Sequence, residues 1–387
     1  MDIIPYGRQD ISEADIEAVV EVLRSDFLTQ GPVVPEFERQ LARYAGAQHG
    51  VAVNSATSAL HLACLALGVG QGDVVWTTPI TFVASANCAL YCGAQVDFVD
   101  VDLHTGNMSA QALELKLAAS KKSGGLPRVV IPVHLCGNPC DMEKIHALAL
   151  QYGFRVIEDA SHAIGGNYRG QKIGNCRFSD ITVFSFHPVK LITTGEGGVA
   201  LTNDGALARK MQLLRSHGIT REPDEMTQAP DGPWYYQQIM LGYNYRMTDI
   251  QAALGLSQLK RLDEFIQKRQ LIASRYHQAL SDLPLALPQT EQDDLSAFHL
   301  YVVRMLTTHP AGSHLHAFEY MRENGILVNL HYIPVYRQPY YQKMGYRVED
   351  YPQSEAYYTA AISLPIYPGL QPEQQDRVIH TLRQALA

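Results

Sequence analysis

No stretch of this chain combines the length and apolarity of a membrane span. Residues 1–8 also lack the basic region and following apolar stretch of a secretory leader. The expected address is the cytoplasm, with no membrane partner. Cysteine is sparse: six in 387 residues, at Cys64, Cys88, Cys92, Cys136, Cys140 and Cys176. That scatter excludes the dense disulfide framework of a small secreted domain, and reduced thiols are expected. Positive charge is in deficit, 31 Lys and Arg against 39 Asp and Glu for a formal charge of -8, so no general attraction to nucleic acid is expected. Two nucleotide motifs are missing as well. There is no GxGxxG fingerprint, and the run from Gly165 to Gly170 continues as Gln171 Lys172, which breaks the P-loop rule that Lys follows the second Gly. An oxidoreductase is therefore disfavoured. His134, Cys136, Cys140 and His146 resemble metal ligands in composition, but their spacing does not match a tight zinc pair, and Gly137 Asn138 Pro139 reads as a turn. No metal is expected.

What is present is an alternation of short apolar runs and helical stretches, with 46% hydrophobic and 18% charged residues and no internal repeat. Residues 73–77, 95–101, 128–135, 154–158, 180–186 and 198–202 read as buried strands rich in Val, Ile and Phe. Between them, Met142, Ile145, Leu148 and Tyr152 recur at helical spacing, and Gly153 stands where a C-terminal cap belongs. This α/β alternation predicts a mainly parallel sheet covered by helices on both faces, with a ligand site at the carboxyl ends of the strands. After 242–249 the pattern becomes one long helical run through about residue 280, with Ile250, Leu254, Leu256, Leu259 and Leu262 as its buried stripe. A large domain with an N-terminal arm over 1–250 and a smaller α+β domain over 251–387 are expected. Strands over 300–305 and 326–330 and a C-terminal helix belong to the second. The Pro, Asp and Glu-rich segment 220–234 reads as an exposed excursion.

Chemistry is suggested by Lys190, in the run Phe184 Ser185 Phe186 His187 Pro188 Val189 Lys190, downstream of Glu158 Asp159 Ala160 Ser161 His162. An amine behind a strand-end acid suits a pyridoxal phosphate enzyme, in which lysine forms a Schiff base and a carboxylate keeps the pyridine nitrogen protonated. Each piece also has an ordinary reading, as a surface lysine and a helix-capping Asp. Similarly, Asn54 Ser55 Ala56 Thr57 Ser58 Ala59 Leu60 is either a phosphate site at a helix start or ordinary N-capping by Ser55 or Thr57.

Together with residues 28–32, 242–249 and 329–332, these segments resemble the DegT/DnrJ/EryC1/StrS sugar aminotransferases, a branch of the fold type I, aspartate aminotransferase-like pyridoxal phosphate enzymes. The resemblance covers nearly the whole chain. The wording around Ser55 and Lys190 is similar to the pseudaminic acid branch, which aminates C4 of a UDP-linked 4-keto-6-deoxy-N-acetylaminohexose. It implies Lys190 and Asp159 as the catalytic pair. Ala56, Thr57, Ser58 and Ser185 would contact the cofactor phosphate, Phe82 would cover the ring, and His162 would lie near its 3′ oxygen. His162 stands where the family often has Gln, and Ala56 where it often has Gly. Asn244 would reach the phosphate of a neighbouring subunit, which implies a homodimer with shared active sites. Tyr6, Asp26, Phe27, Leu28, Thr29, His187, Asn329, His331 and Tyr332 would contact the nucleotide sugar. The implied cycle passes through pyridoxamine phosphate, with an amino-acid donor, L-glutamate. Alternatives are amination at C3, a dTDP sugar, or a non-catalytic cofactor-binding regulator.

Overall fold

The computed structural model describes residues 2–306 and 313–387. Short Val and Ile-rich runs form one seven-stranded sheet: β1 (His49–Val53), β2 (Val74–Thr77), β3 (Gln95–Phe98), β4 (Val129–Ile131), β5 (Arg155–Asp159), β6 (Ile181–Ser185) and β7 (Gly198–Thr202). Their order is β1-β7-β6-β5-β4-β2-β3. Within this sheet β7 runs antiparallel to both neighbours, while β2 to β6 pair in parallel. Six of the seven strands follow the sequence reading, though β3 and β4 are shorter than expected. The chain leaves β3 and β4 through single bridges, Val101 with Met108 and Val133 with Asp159, and does not extend the ladders.

Both faces of the sheet are buried. Val51, Val53, Ile131, Ile157 and Val183 pack on one side with helix α1 (Ala56–Ala66) and helix α2 (Ala84–Tyr91). Ala52, Phe184, Val199 and Leu201 pack on the other with Phe37, Leu41 and Phe265. Each fully buried side chain of this size contributes about 1.5–3 kcal/mol, so the strands form a rigid platform for whatever stands at their ends. Helix α3 (Met142–Tyr152) ends as expected at Gly153, whose φ of 79° is the left-handed conformation a C-terminal cap needs.

The long run after residue 249 departs from expectation. It is broken at Lys260 and Arg261 into helix α4 (Asp249–Leu259) and helix α5 (Leu262–Leu280). Ile250, Leu254, Leu256 and Leu259 are only half-buried, and Leu262 alone of the expected stripe is fully buried. The covered face of α4 is instead Asp249, Ala252, Ala253, Gly255, Ser257 and Gln258. Close approach is the reason: a Cβ on Gly255 would stand 2.8 Å from the Phe37 ring. The polar members are also spent, since Gln258 Nε2 and Arg261 donate to the wholly buried Asp15 at 2.7 and 2.6 Å.

A second apolar core gathers Tyr276, Leu280, Tyr301, Val303, Met321, Ile362 and Val378 around strands Leu285–Ala286, Tyr301–Met305 and Ala361–Leu364. The N-terminal segment joins it, because Ile4–Pro5 pairs in parallel with Ile326–Leu327 and Ile4 is buried there. Helix α4 packs on Glu13–Leu23 and Val33–Ala45, and Phe265 and Ile266 lie in the core of the larger unit. We therefore propose that the division between the two units falls inside α5, somewhat beyond residue 250. Segment 220–234 is largely exposed beside a hairpin of Ile219–Thr220 with Gln237–Gln238. No described helix is long and apolar enough to cross a membrane.

Candidate active site

The parallel strands end on one side of the sheet, and their last residues and following loops enclose a cavity of about 840 Å³. Asp159, the last residue of β5, projects into it although only 5% of its surface is exposed. Its carboxylate is held on both oxygens: Ser85 Oγ donates to Oδ2 at 2.6 Å and the Ser161 N–H to Oδ1 at 3.1 Å. Thr81 Oγ1, 2.9 Å from Ser85 Oγ, completes the chain; because Ser85 gives its proton to Asp159, Thr81 donates to Ser85.

Lys190 sits in the loop between β6 and β7. That loop is pinned at its neck by Phe186, whose N–H donates to Gly197 O and whose carbonyl accepts from Thr194 N–H and Thr193 Oγ1. The Lys190 amide donates to His187 O at 2.9 Å. Burial lowers the Lys190 ammonium from an ordinary 10.5 to about 8, opposed in part by the fields of Asp159 and Cys136. Burial thus leaves an amine that gives up its proton readily.

A helix start faces the same cavity. Ser55 caps α1 by accepting the Ser58 N–H at 3.1 Å, while the Ala56 and Thr57 N–H groups begin the helix and have no intrahelical acceptor. Ser58 Oγ donates to Asn54 Oδ1 at 2.6 Å. Ala56 takes this position as an ordinary helical residue. The close approach falls on Gly198, where a Cβ would lie 2.5 Å from Ala56 N and 2.6 Å from Ala56 Cα. Capping and ligand binding are therefore compatible here: the cap takes one N–H and leaves two.

Tyr6, Ala56, Thr57, Ser58, Phe82, Asp159, His162, Ser185, His187, Lys190, Asn329, His331 and Tyr332 all line the cavity. Phe82 stays 59% exposed, with its ring 6.3 Å from that of Tyr332. Asp26, Phe27, Leu28, Thr29 and Asn244 do not line it. Thr29 bridges to Thr248, the Leu28 carbonyl accepts from Asp249 N–H, and Asn244 bridges to Ser216 with its side chain exposed. Phe27 and Leu28 present their side chains to the outside.

Three histidines crowd the amine. Burial and the Lys190 charge press His162 and His299 well below the ordinary imidazole value, and His331 falls to about 3 for the same reasons. All three are therefore neutral near pH 7, and His162 carries no charge there. Sequence reasoning missed Ser85, Thr81 and His299. Ser85 carries no signature beyond standing three residues after Phe82, and His299 reads as an ordinary residue before a strand. The metal-like set is committed elsewhere. His134 lies 2.8 Å from Glu158 Oε2 through Nε2 and accepts the Cys140 N–H on Nδ1 at 2.9 Å, while His146 pairs with Phe178 O.

Residues 9–383 match the DegT/DnrJ/EryC1/StrS aminotransferase family. The chain is 39% identical over 383 residues to the spore coat polysaccharide biosynthesis protein SpsC of Bacillus subtilis, covering 98% of this chain and 96% of that one. It is 37% identical over 383 residues, with the same coverage, to a UDP-4-amino-4,6-dideoxy-N-acetyl-beta-L-altrosamine transaminase of Campylobacter jejuni. Among solved structures it is similar to Helicobacter pylori PseC, described as an aminotransferase involved in the biosynthesis of pseudoaminic acid. That likeness has a TM-score of 0.90 at 32% identity and covers 100% of this chain and 99% of the other. The putative sugar aminotransferase Spr1654 of Streptococcus pneumoniae, in its PLP form, gives a TM-score of 0.88 at 30% identity, covering 99% and 98%.

Proposed function

We propose, from the premise that the chain belongs to the DegT/DnrJ/EryC1/StrS aminotransferase family, that it moves an amino group from L-glutamate to C4 of a UDP-linked 4-keto-6-deoxy-N-acetylaminohexose. The protein is a pyridoxal phosphate-dependent sugar aminotransferase of fold type I. The observation that carries the reading is the placement, in one cavity, of a lysine amine of lowered basicity and a buried, doubly hydrogen-bonded carboxylate.

The donor set fits this cofactor. Two uncommitted helix N–H groups and Ser185 suit a phosphate, Asp159 suits a protonated ring nitrogen, and the Lys190 amine suits an aldehyde. When bound, pyridoxal phosphate supplies that aldehyde and a ring that draws off electron density. Asp159, unable to relax because Ser85 and Ser161 hold both oxygens, would stabilise positive charge on the ring nitrogen of the bound cofactor. Phe82 offers an open aromatic face to the cavity. Lys190 Nζ, as a free amine, would take the proton from the amino-bearing carbon of the donor and pass it to C4′ of the cofactor, and in the second half would move one from C4′ to the sugar carbon. Tyr6, whose ring lies 5.2 Å from that of His331, forms with Asn329 and Tyr332 the wall on which the sugar nucleotide rests.

The C4 and UDP assignments draw support from the Campylobacter and Helicobacter relatives. The Bacillus relative, at 39% identity, is named only for spore coat polysaccharide biosynthesis, so amination at C3 or of a dTDP sugar stays the second reading. Purified protein incubated with glutamate and a panel of UDP and dTDP keto sugars, with products assigned by NMR, decides between them. Turnover of another sugar without the UDP 4-keto sugar refutes the substrate assignment. Exposed Asn244, Phe27 and Leu28, outside their own cavity, support a homodimer that shares sites. Mixing Lys190→Ala with Asn244→Ala subunits then restores up to about a quarter of the activity, because a mixed pair holds one intact site. No recovery after confirmed subunit exchange argues against sharing.

A further inference from the structure

Cys136, in the tight turn that follows β4, has a φ of 62°, a left-handed conformation that costs a residue with a Cβ. The next residue, Gly137, is also left-handed at 95°, and a Cβ there would meet His162 O at 2.8 Å and Phe298 N at 3.0 Å. The turn is therefore pressed against His162, and its consequence is directional: the Cys136 N–H points at His162 Nδ1 over 3.2 Å.

A nitrogen that accepts an N–H holds a lone pair, so Nδ1 carries no proton. A neutral imidazole has one N–H, which must then be on Nε2, 3.1 Å from the Tyr332 hydroxyl oxygen. Nε2–H therefore donates to Tyr332, and the Tyr332 hydroxyl is left with its own proton to give. Among the described residues no acceptor takes it, and Tyr332 lines the cavity. The two rings lie nearly parallel, 23° apart with centroids 6.0 Å apart.

We propose that His162 is a positioning residue that fixes the Tyr332 hydroxyl as a hydrogen-bond donor into the cavity, with the strained Cys136 amide setting the required imidazole tautomer. The acceptor is an oxygen of the bound cofactor or sugar; that identity rests on the aminotransferase reading, whereas the tautomer does not. Glutamine reproduces the arrangement, with Oε1 accepting from Cys136 and Nε2–H donating to Tyr332, while leucine supplies neither group.

The test has two arms. In the full-length protein labelled with 15N-histidine, the His162 signal, assigned through its loss in His162→Gln, is expected as the neutral Nε2–H tautomer near pH 7. An Nδ1–H tautomer or an imidazolium overturns the proposal. In the second arm, His162→Leu and Tyr332→Phe each lower kcat/KM about 10- to 100-fold, and His162→Gln recovers to within about fivefold of the parent. The double variant His162→Leu, Tyr332→Phe falls no more than about threefold below the worse single, because the hydroxyl that His162 directs is already gone. Losses that multiply, or a Gln variant no better than Leu when both melt like the parent, overturn it. If the parent protein shows no cofactor absorbance change with glutamate, the aminotransferase reading fails, and the NMR arm still decides the tautomer.

Discussion

Stripped of cofactor and labelled with limiting acetic anhydride from about pH 6 to about pH 11, the protein should single out Lys190 among its amines. Burial takes this ammonium from an ordinary 10.5 to about 8. At pH 7 about a tenth of it is then the free amine, roughly 300-fold more than a solvated lysine offers. Mass spectrometry of the Lys190 peptide across the series gives a labelling midpoint near pH 8. Asp159 raises this value by its field, so Asp159→Asn moves the midpoint lower. A midpoint at or above pH 10, or an upward move in Asp159→Asn, refutes the account of the cavity as a low-dielectric wall around the amine. The same shift carries a stability sign. A lysine whose folded value is depressed opposes folding fully below pH 8 and ceases to do so as pH rises through the ordinary value, because the unfolded chain binds the extra proton in that window. Lys190→Met is accordingly more stable than the parent at pH 7, with an advantage that shrinks above pH 8. Urea melts at both ends of the range check it, and an advantage that grows with pH contradicts the sign.

Ser85→Ala leaves one oxygen of the buried Asp159 without its donor at 2.6 Å, and weakens pyridoxal phosphate binding about 5- to 50-fold in a fluorescence titration; unchanged affinity shows that the hydroxyl does not hold the carboxylate. In Gly198→Ala, a new Cβ only 2.5 Å from Ala56 N displaces the helix start, so affinity for pyridoxal phosphate falls at least about tenfold while inactive apoprotein remains folded. An equal affinity would mean that α1 yields without cost. Arg261→Met removes the guanidinium 2.6 Å from fully buried Asp15 and destabilises by roughly 2–4 kcal/mol in urea, the lower end reflecting partial exposure of the arginine. Burial raises the Asp15 carboxyl, but hydrogen bonds from Ser12, Ser257 and Gln258 more than offset it and leave it below the ordinary value. The stability it contributes is lost as pH falls through that lowered value.

Much of this was legible in the sequence for a definite reason. Strands of a doubly covered sheet must be apolar on both faces, so 154–158, 180–186 and 198–202 announce themselves, and Asp159, Ser185 and Lys190 sit where those runs stop. β1 escaped because His49 and Gly50 dilute a five-residue strand whose place between β7 and the surface no local pattern encodes. The stripe on α4 was misread for the converse reason. Periodicity reports which residues are apolar and not which neighbour comes close, and Gly255 against Phe37 demands smallness where Leu254 and Leu256 invite burial.

The same distinction explains why the chemistry of the site is more legible than its substrate. Asp159 at the end of β5 and Lys190 in the loop after β6 are residue types with no chemical substitutes, and their setting is local. The Tyr332 hydroxyl, by contrast, becomes a donor only through a left-handed Cys136 and a ring nitrogen on His162, drawn together from three separated segments. Tyr6 reaches the cavity because Ile4–Pro5 crosses to pair with Ile326–Leu327, a contact over 322 residues of sequence. Groups that read a sugar are assembled by such crossings, and each is an ordinary Tyr, His or Asn until the fold brings it in. A substitution that moves the crossing without touching the sheet should therefore change which sugar is accepted before it changes the reactivity of Lys190. Replacing Ile4 by Asp, which buries a charge in the second core, is the variant that separates the two: sugar KM rises about tenfold or more, while the Lys190 labelling midpoint stays near pH 8. A shift of that midpoint to the ordinary lysine range would show that the two halves of the site are not independent.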